Sequence, residues 1–306
     1  MSERRTGAVA IGNFDGVHLG HRAVLERTRA RAAEAGGRSA VLTFDPHPSA
    51  VLHPDRPAEL LTTREERIAR IHATGVDDVH VLTFDRALAR LEPEAFVTGI
   101  LWPRLRPRWV VVGTNFTFGR GARGRAADLA RMGERLGFGV EVVEPVVVDG
   151  GPVSSSRIRE RVRIADMPGA RRLMGAPYTM GGTVVARTGR GRTLGVPTAN
   201  LVPPEGKCLP PEGVYAVWVR LPDGRRAMGA ADLGRRPTFE QEGELLLEVH
   251  VLDGAHDLYG KALEVEFVRY VRPDRAFPGE GELAAAMRED VATVRAVLSA
   301  DASGSP

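Results

Sequence analysis

The apolar pattern of this chain changes rhythm near residue 168, and that change limits the fold more than any single motif does. Before it, β-type runs alternate with helical stretches. Residues 8–11 read as a buried strand, 21–35 as a helix ending at Gly36-Gly37, and 39–44 as a strand stopped by Asp45-Pro46. A helix over 63–74 with Gly75 as its cap, a strand over 79–84, a helix over 93–101 and a strand over 109–112 follow. A helix over 126–136, a strand over 140–148 and a helix over 156–164 complete the series. Such alternation predicts a mostly parallel, doubly wound sheet covered on both faces.

After residue 168 the helices nearly vanish. Met167-Pro168-Gly169 and Gly175-Ala176-Pro177 read as linker punctuation. Strands are expected at 182–186, 213–220, 226–233, 245–252 and 263–269, separated by Gly/Pro turns, with a closing amphipathic helix over 280–298. In the fourth of these, Leu245, Leu247, Val249 and Val251 share one face and Leu246, Glu248, His250 and Leu252 the other. This half reads as a small antiparallel β-barrel with a C-terminal helix. A chain of 306 residues suits two domains at roughly 150 residues each, drawn as 1–170 and 171–306.

Composition removes several classes. Apolar residues make up 43% and charged residues 26%, which suits a folded globular chain and not a disordered or coiled-coil one. The longest apolar runs, such as 109–112, fall far short of the ~20 residues that span a membrane. The first residues carry no apolar stretch before a cleavage site, and the single cysteine, Cys208, excludes an intrachain disulfide. The expectation is a cytoplasmic protein without membrane partners, monomeric or weakly oligomeric.

Only Lys207 and Lys261 are lysines among 42 basic side chains, yet the net charge is just +3. That excess is too small and too scattered for a duplex-binding surface, and no helix-turn-helix or RNA-reading motif stands out, so nucleic acid is not the expected partner. Arginine's fixed fork suits phosphate groups of small ligands instead.

The segment from Gly12 through Phe14, Asp15, Gly16 and His18 to Gly20 and His21 leaves a strand, turns on glycines and enters a helix. That geometry aims free backbone N–H groups at an anion. Two imidazoles three apart at the helix start can face one pocket, bind a triphosphate and stabilise a leaving pyrophosphate. The same spacing is compatible with two metal ligands, although no third stands nearby, or with ordinary surface histidines. Downstream, residues 119–124 fit G-x-G-x-x-G, but Thr114 to Phe118 separate them from the strand. They read as a flexible loop over the nucleotide, with Asn115 and Phe118 better placed to touch substrate.

The HxGH signature at His18–His21, within G-x-F-D-G-x-H-x-G-H, resembles the adenylyltransferase module of prokaryotic bifunctional riboflavin kinase/FMN adenylyltransferases, the FAD synthetases. Residues 43–48, 112–119 and 154–159 match that module in order. The resemblance makes Ser154, Ser155, Ser156 and Arg159 a second phosphate-binding motif, with hydroxyls and N–H groups at a helix start. It implies a doubly wound, Rossmann-like nucleotidyltransferase domain that binds ATP through Gly12, Phe14, Asp15, Gly20 and Asn115, with His18 and His21 as catalytic groups.

In the second half, Gly189, Arg190, Gly191, Arg192 and Gly195 form a glycine-rich turn followed by Pro197, Thr198, Ala199 and Asn200. The arginines can wrap a phosphate, and Thr198 and Asn200 offer hard oxygens to Mg²⁺. Alone, this segment equally describes a β-turn. The pattern G-R-x-L-G-x-P-T-A-N resembles the magnesium–nucleotide motif of the riboflavin kinase module, and residues 213–216, 234–239, 247–250 and 257–260 also match in order. The resemblance implies that Glu248 is the catalytic base, that Tyr215 lies at the ATP or flavin site, and that the substrates and products are ATP, riboflavin, FMN and FAD. Three positions depart from the family pattern: Arg187 where glycine is common, Val196 where an aromatic is usual, and Asp232 where an amide or hydroxyl is frequent.

Overall fold

The computed structural model describes residues 6–185, 198–238, 241–252, 254, 257–275 and 278–304. The chain divides into two compact units, Met1–Ser155 and Ser156–Pro306.

In the first unit, strands β1 (Thr6–Ile11), β2 (Arg38–Asp45), β3 (Asp78–Thr83), β4 (Trp109–Gly113) and β5 (Gly139–Val143) form one sheet in the order β3-β2-β1-β4-β5. Every pairing is parallel. The strand order reverses at β1/β4, the switch point where doubly wound sheets place their ligands. Alternate residues feed two cores. Val9, Leu42, Val110 and Val112 pack on Phe96, Leu101, Leu129 and Phe138 on one face. Ala10, Val41 and Val111 pack on Leu25, Ile71 and Phe14 on the other. Two such cores are what helices on both faces require.

The helices α1 (Leu19–Glu34), α2 (Arg64–His72) and α3 (Ala126–Leu136) follow the expected pattern closely. Thr63 and Glu66 close a capping box at the start of α2. The helix over 93–105 runs past its expected end through a π-turn, Val97–Leu101. Pro103 lacks an N–H and would crowd the carbonyl four residues back in regular α-geometry, so the widened turn accommodates it. The fifth strand ends at Val143, short of its expected reach to 148. Pro145 stops it, and Val147–Val148 turns back in a hairpin with Gly151–Pro152.

The expected linker at 167–177 is a helix instead. After α4 (Ser155–Arg163), α5 spans Met167–Met174, with Asp166 accepting from the Gly169 N–H at 2.9 Å and Gly175 as its left-handed cap. Pro168 and Gly175, read as punctuation, are the two ends of a short capped helix.

The second unit closes six strands into an antiparallel barrel: β6 (Tyr178–Val185), β7 (Thr198–Leu201), β8 (Gly213–Arg220), β9 (Arg226–Thr238), β10 (Gln241–Val251) and β11 (Ala262–Arg272), in the order β6-β7-β10-β9-β8-β11. Sequence periodicity missed β7, which has four residues. Val217, Val219, Ala231, Leu233, Leu247, Val249, Val265 and Phe267 are almost fully buried. The C-terminal helix α6 (Glu280–Ser303) sets Val294 and Leu298 against Ala216 and Trp218.

Candidate active sites

In the first unit the loop 12–18 joins β1 to α1. His18 caps α1: its Nδ1 accepts from the His21 backbone N–H at 3.3 Å. In neutral His18 that places the ring proton on Nε2. The two imidazoles stack with centroids 3.6 Å apart and planes 16° apart, and the edge of Phe14 meets His21 at 5.2 Å. Nδ1 of His21 is shielded from solvent and has no hydrogen-bond partner among the described residues. Burial first, and the stacked His18 second, hold His21 well below its ordinary value, so it is neutral in the free protein.

Gly20 makes the stack fit. A Cβ there would lie 3.2 Å from Cε1 of His18 and 3.3 Å from its Nδ1. At Gly12 a Cβ would press on the Phe14 ring at 3.3 Å. Phe14 is itself buried, at φ +52°, so it shapes the loop from the core side instead of offering a face to ligand. Asp15 likewise departs from the expected direct phosphate role. Its buried carboxylate accepts from the Leu61 N–H at 2.9 Å and the Thr62 N–H at 3.1 Å. Its carbonyl accepts from Ser155 Oγ at 3.0 Å, which ties Ser155 to the histidine loop. Ser154 precedes α4, Ser156 is exposed in its first turn, and Arg159 is half-buried one turn on.

Asn115 is exposed in the turn after β4. Phe118 belongs to the core, against Phe96 and stacked on Phe116 at 5.4 Å. The glycine-rich loop 119–124, expected as a flexible flap, is anchored at both ends by packed glycines, while residues 120–123 are exposed. It forms a 3₁₀ turn and a two-residue ladder, and a Cβ at Gly119 would overlap Pro93 while one at Gly124 would overlap Phe118.

In the barrel, the register sets Asn200 opposite Glu248 and Glu248 opposite Asp232, side by side on β7, β10 and β9. Directly paired residues share a face with Cβ atoms roughly 5 Å apart. Asn200 is buried, while Glu248 and Asp232 are half-buried. Thr198 lies one face-repeat away, opposite His250. Tyr215 departs from its expected ligand contact: it is fully buried, its hydroxyl donates to the Pro211 carbonyl, and its ring meets Phe267 and Tyr270 edge-on. Burial pushes its phenol well up, so it stays protonated. Arg187, Gly189, Arg190, Gly191, Arg192, Gly195, Val196 and Pro197 lie outside the described residues.

Sequence reading missed Thr62 and Arg67. Thr62 lies one residue before the helix expected at 63–74 and carries no motif of its own. Arg67, almost fully buried, donates to the Phe44 carbonyl at 2.8 Å at the end of β2.

Residues 1–157 match the FAD synthetase family model, and residues 174–298 match the riboflavin kinase model. The chain is 39% identical to a bifunctional riboflavin kinase/FMN adenylyltransferase of Pseudomonas fluorescens, over 98% of this chain and 96% of that one. It is 37% identical to the Listeria monocytogenes protein of the same description, over 94% and 91%. A crystal structure described as a macrolide-efflux protein from Streptococcus pneumoniae superposes with a TM-score of 0.85 at 29% identity, covering 95% of this chain and 94% of that one.

Proposed function

This chain belongs to the bifunctional riboflavin kinase/FMN adenylyltransferase family, and from that premise we propose how its residues divide the two half-reactions. The enzyme phosphorylates riboflavin to FMN with ATP, then adenylylates FMN with a second ATP to give FAD and pyrophosphate. The first unit carries the adenylyl transfer and the second the kinase.

The observation that carries the first assignment is the stacked His18–His21 pair at the start of α1, with the solvent-shielded Nδ1 of His21 lacking a partner among the described residues. A polyphosphate supplies that partner. Its charge raises the histidine's proton affinity, so His21, neutral in the free enzyme, becomes a donor to the pyrophosphate as it leaves. The FMN phosphate oxygen attacks the α-phosphorus of ATP, and no covalent enzyme intermediate is needed. Gly12 and Gly20 give the ligand close access to backbone N–H groups, while Ser155 holds the loop through Asp15.

In the barrel, Glu248 accepts the proton of the ribityl 5′-hydroxyl as it attacks the γ-phosphorus. A carboxylate on a strand locked between β7 and β9 is rigidly aimed, which suits a base. Thr198 and Asn200 fit Mg²⁺: both present neutral hard oxygens, and this ion usually keeps waters and phosphates as its other ligands. Bound there, it would neutralise charge on the transferring phosphoryl group.

The test is product analysis by chromatography with riboflavin and FMN as separate substrates, each with ATP and Mg²⁺. FMN then FAD from riboflavin, and FAD from FMN, are expected. No FAD from FMN, together with adenylylation of a pyridine mononucleotide or lipid precursor supplied in a parallel reaction, would overturn the substrate assignment.

A further inference from the structure

We propose that Thr62 is a positioning residue for adenylyl transfer, acting through Asp15 and Gly16 on the loop that carries His18; this rests on the assignment of that loop to FMN adenylylation. Thr62 is fully buried. Its Oγ1 accepts from the Gly16 N–H at 3.0 Å and donates to Asp15 Oδ1 at 3.2 Å. One hydroxyl thus uses both its donor and an acceptor lone pair on adjacent residues of the loop. The Leu61 and Thr62 amides donate to the same carboxylate, so the segment 61–62 grips the Asp15-Gly16 dipeptide at four points.

The grip sits where the backbone needs it. Phe14 at φ +52°, Gly16 at +85° and Val17 at +45° all occupy the left-handed region, and a β-branched residue is rare there. Such a conformation persists only when its surroundings over-determine it. His18 follows Val17 directly, so its ring direction inherits the shape of the strained turn.

The grip also disposes of a charge. A carboxylate aimed at a polyphosphate would repel it; here both Asp15 oxygens are taken by neutral donors from the opposite segment. Behind them, the guanidinium of Arg67, on the helix that begins two residues after Thr62, lies in the field of Asp15 and Asp45 and donates to the Phe44 carbonyl. Residues 61–67 form one strut between the end of β2 and the histidine loop. Donors fixed before substrate arrives need no reorganisation in the transition state.

The experiment compares Thr62→Val and Thr62→Ser in the full chain, with riboflavin phosphorylation measured on the same samples as a control in the other unit. Valine keeps the volume and loses both hydrogen bonds; serine keeps the hydroxyl. We expect kcat for FAD formation to fall about tenfold in Thr62→Val with KM for ATP moving less than about threefold, and Thr62→Ser to recover most of the loss. Hydrogen exchange of the Gly16 amide should quicken in the valine variant and not in the serine one. Wild-type FAD formation with an unchanged kcat in Thr62→Val, or an equal loss in both variants, overturns the positioning role alone. A wild-type chain that makes no FAD from FMN overturns the adenylylation assignment and this role with it.

Discussion

Nδ1 of His18 accepts the backbone N–H of His21 while the two rings stack at 3.6 Å, so the residue that caps the helix also presses on the imidazole one turn along it. This makes the pair a single electrostatic unit: a proton on one ring opposes a proton on the other.

The first prediction concerns pH. His21 in the folded chain holds its proton more weakly than the ordinary 6.5, through burial and then His18. The unfolded chain therefore takes up a proton near that value while the folded one does not. Its contribution is constant above about pH 6.5, and stability falls with pH below it by up to about 1.4 kcal/mol per unit until the folded-state value is reached. His21→Asn removes this slope. Hydrogen exchange of the β1 and β4 amides between pH 7.5 and 5.5 should show the wild type losing more protection than the variant; parallel curves would sink the argument.

Gly20→Ala tests the stack itself. The added Cβ meets the His18 ring at 3.2 Å, too close to accept without a shift of a few tenths of an ångström. Alanine is favourable in a helix, which offsets part of the cost of that shift, so the variant should still fold. FAD formation from FMN is expected to drop about tenfold, since small displacements of reacting groups are costly. Riboflavin phosphorylation should be untouched. Equal FAD rates in the two proteins would show that His18 tolerates displacement.

Much of this was legible in sequence because it is local. The 2- and 3.6-residue periods located β1, β4, β8 and α3 almost to the residue, since their apolar faces are continuous. The spacing of His18 and His21 at a helix start placed both on one face, and the structure adds that their rings stack. The roles of Asp15 and Tyr215 did not follow, because burial is decided by chain segments far away in sequence. Asp15 is claimed by Thr62, 47 residues on, and Tyr215 by Phe267 on another strand. The α5 helix was hidden by Pro168 and Gly175, whose meaning depends on whether they lie at the ends of an element or between elements.

Glu248→Gln separates the two activities. The amide keeps the shape of the side chain and loses its basicity. Loss of a general base lowers the rate by about 10²–10⁴, and riboflavin phosphorylation should fall in that range. FMN adenylylation should stay within about twofold, because no adenylyl-transfer group is altered. Riboflavin and FMN supplied separately resolve the two rates. A variant that still makes FMN at the wild-type rate would remove Glu248 from the base role.

Asp290→Asn tests the support of the kinase row. Arg272 on β11 donates from Nε and Nη2 to the two oxygens of Asp290 on α6, at 2.8 and 2.6 Å, and this pair is mostly buried. Beside it, Val214 pairs with both Arg272 and Asp232, and Asp232 pairs with Glu248. Asp290 holds the Arg272 charge at one end of that row. With the carboxylate neutralised, the guanidinium keeps its charge but loses its main partner, and the carboxylate of Asp232 is also in its field. Breaking one side of a buried pair costs about 3–5 kcal/mol, and somewhat less here because Arg272 is partly exposed. We expect the barrel to unfold at lower urea and riboflavin phosphorylation to fall several-fold as the row beside Arg272 loosens, while FMN adenylylation is retained. The pH–rate profile of the kinase distinguishes the cause. Simple loosening of the fold lowers the plateau of that profile and leaves its limbs in place, whereas an electrostatic effect of the freed Arg272 charge moves a limb.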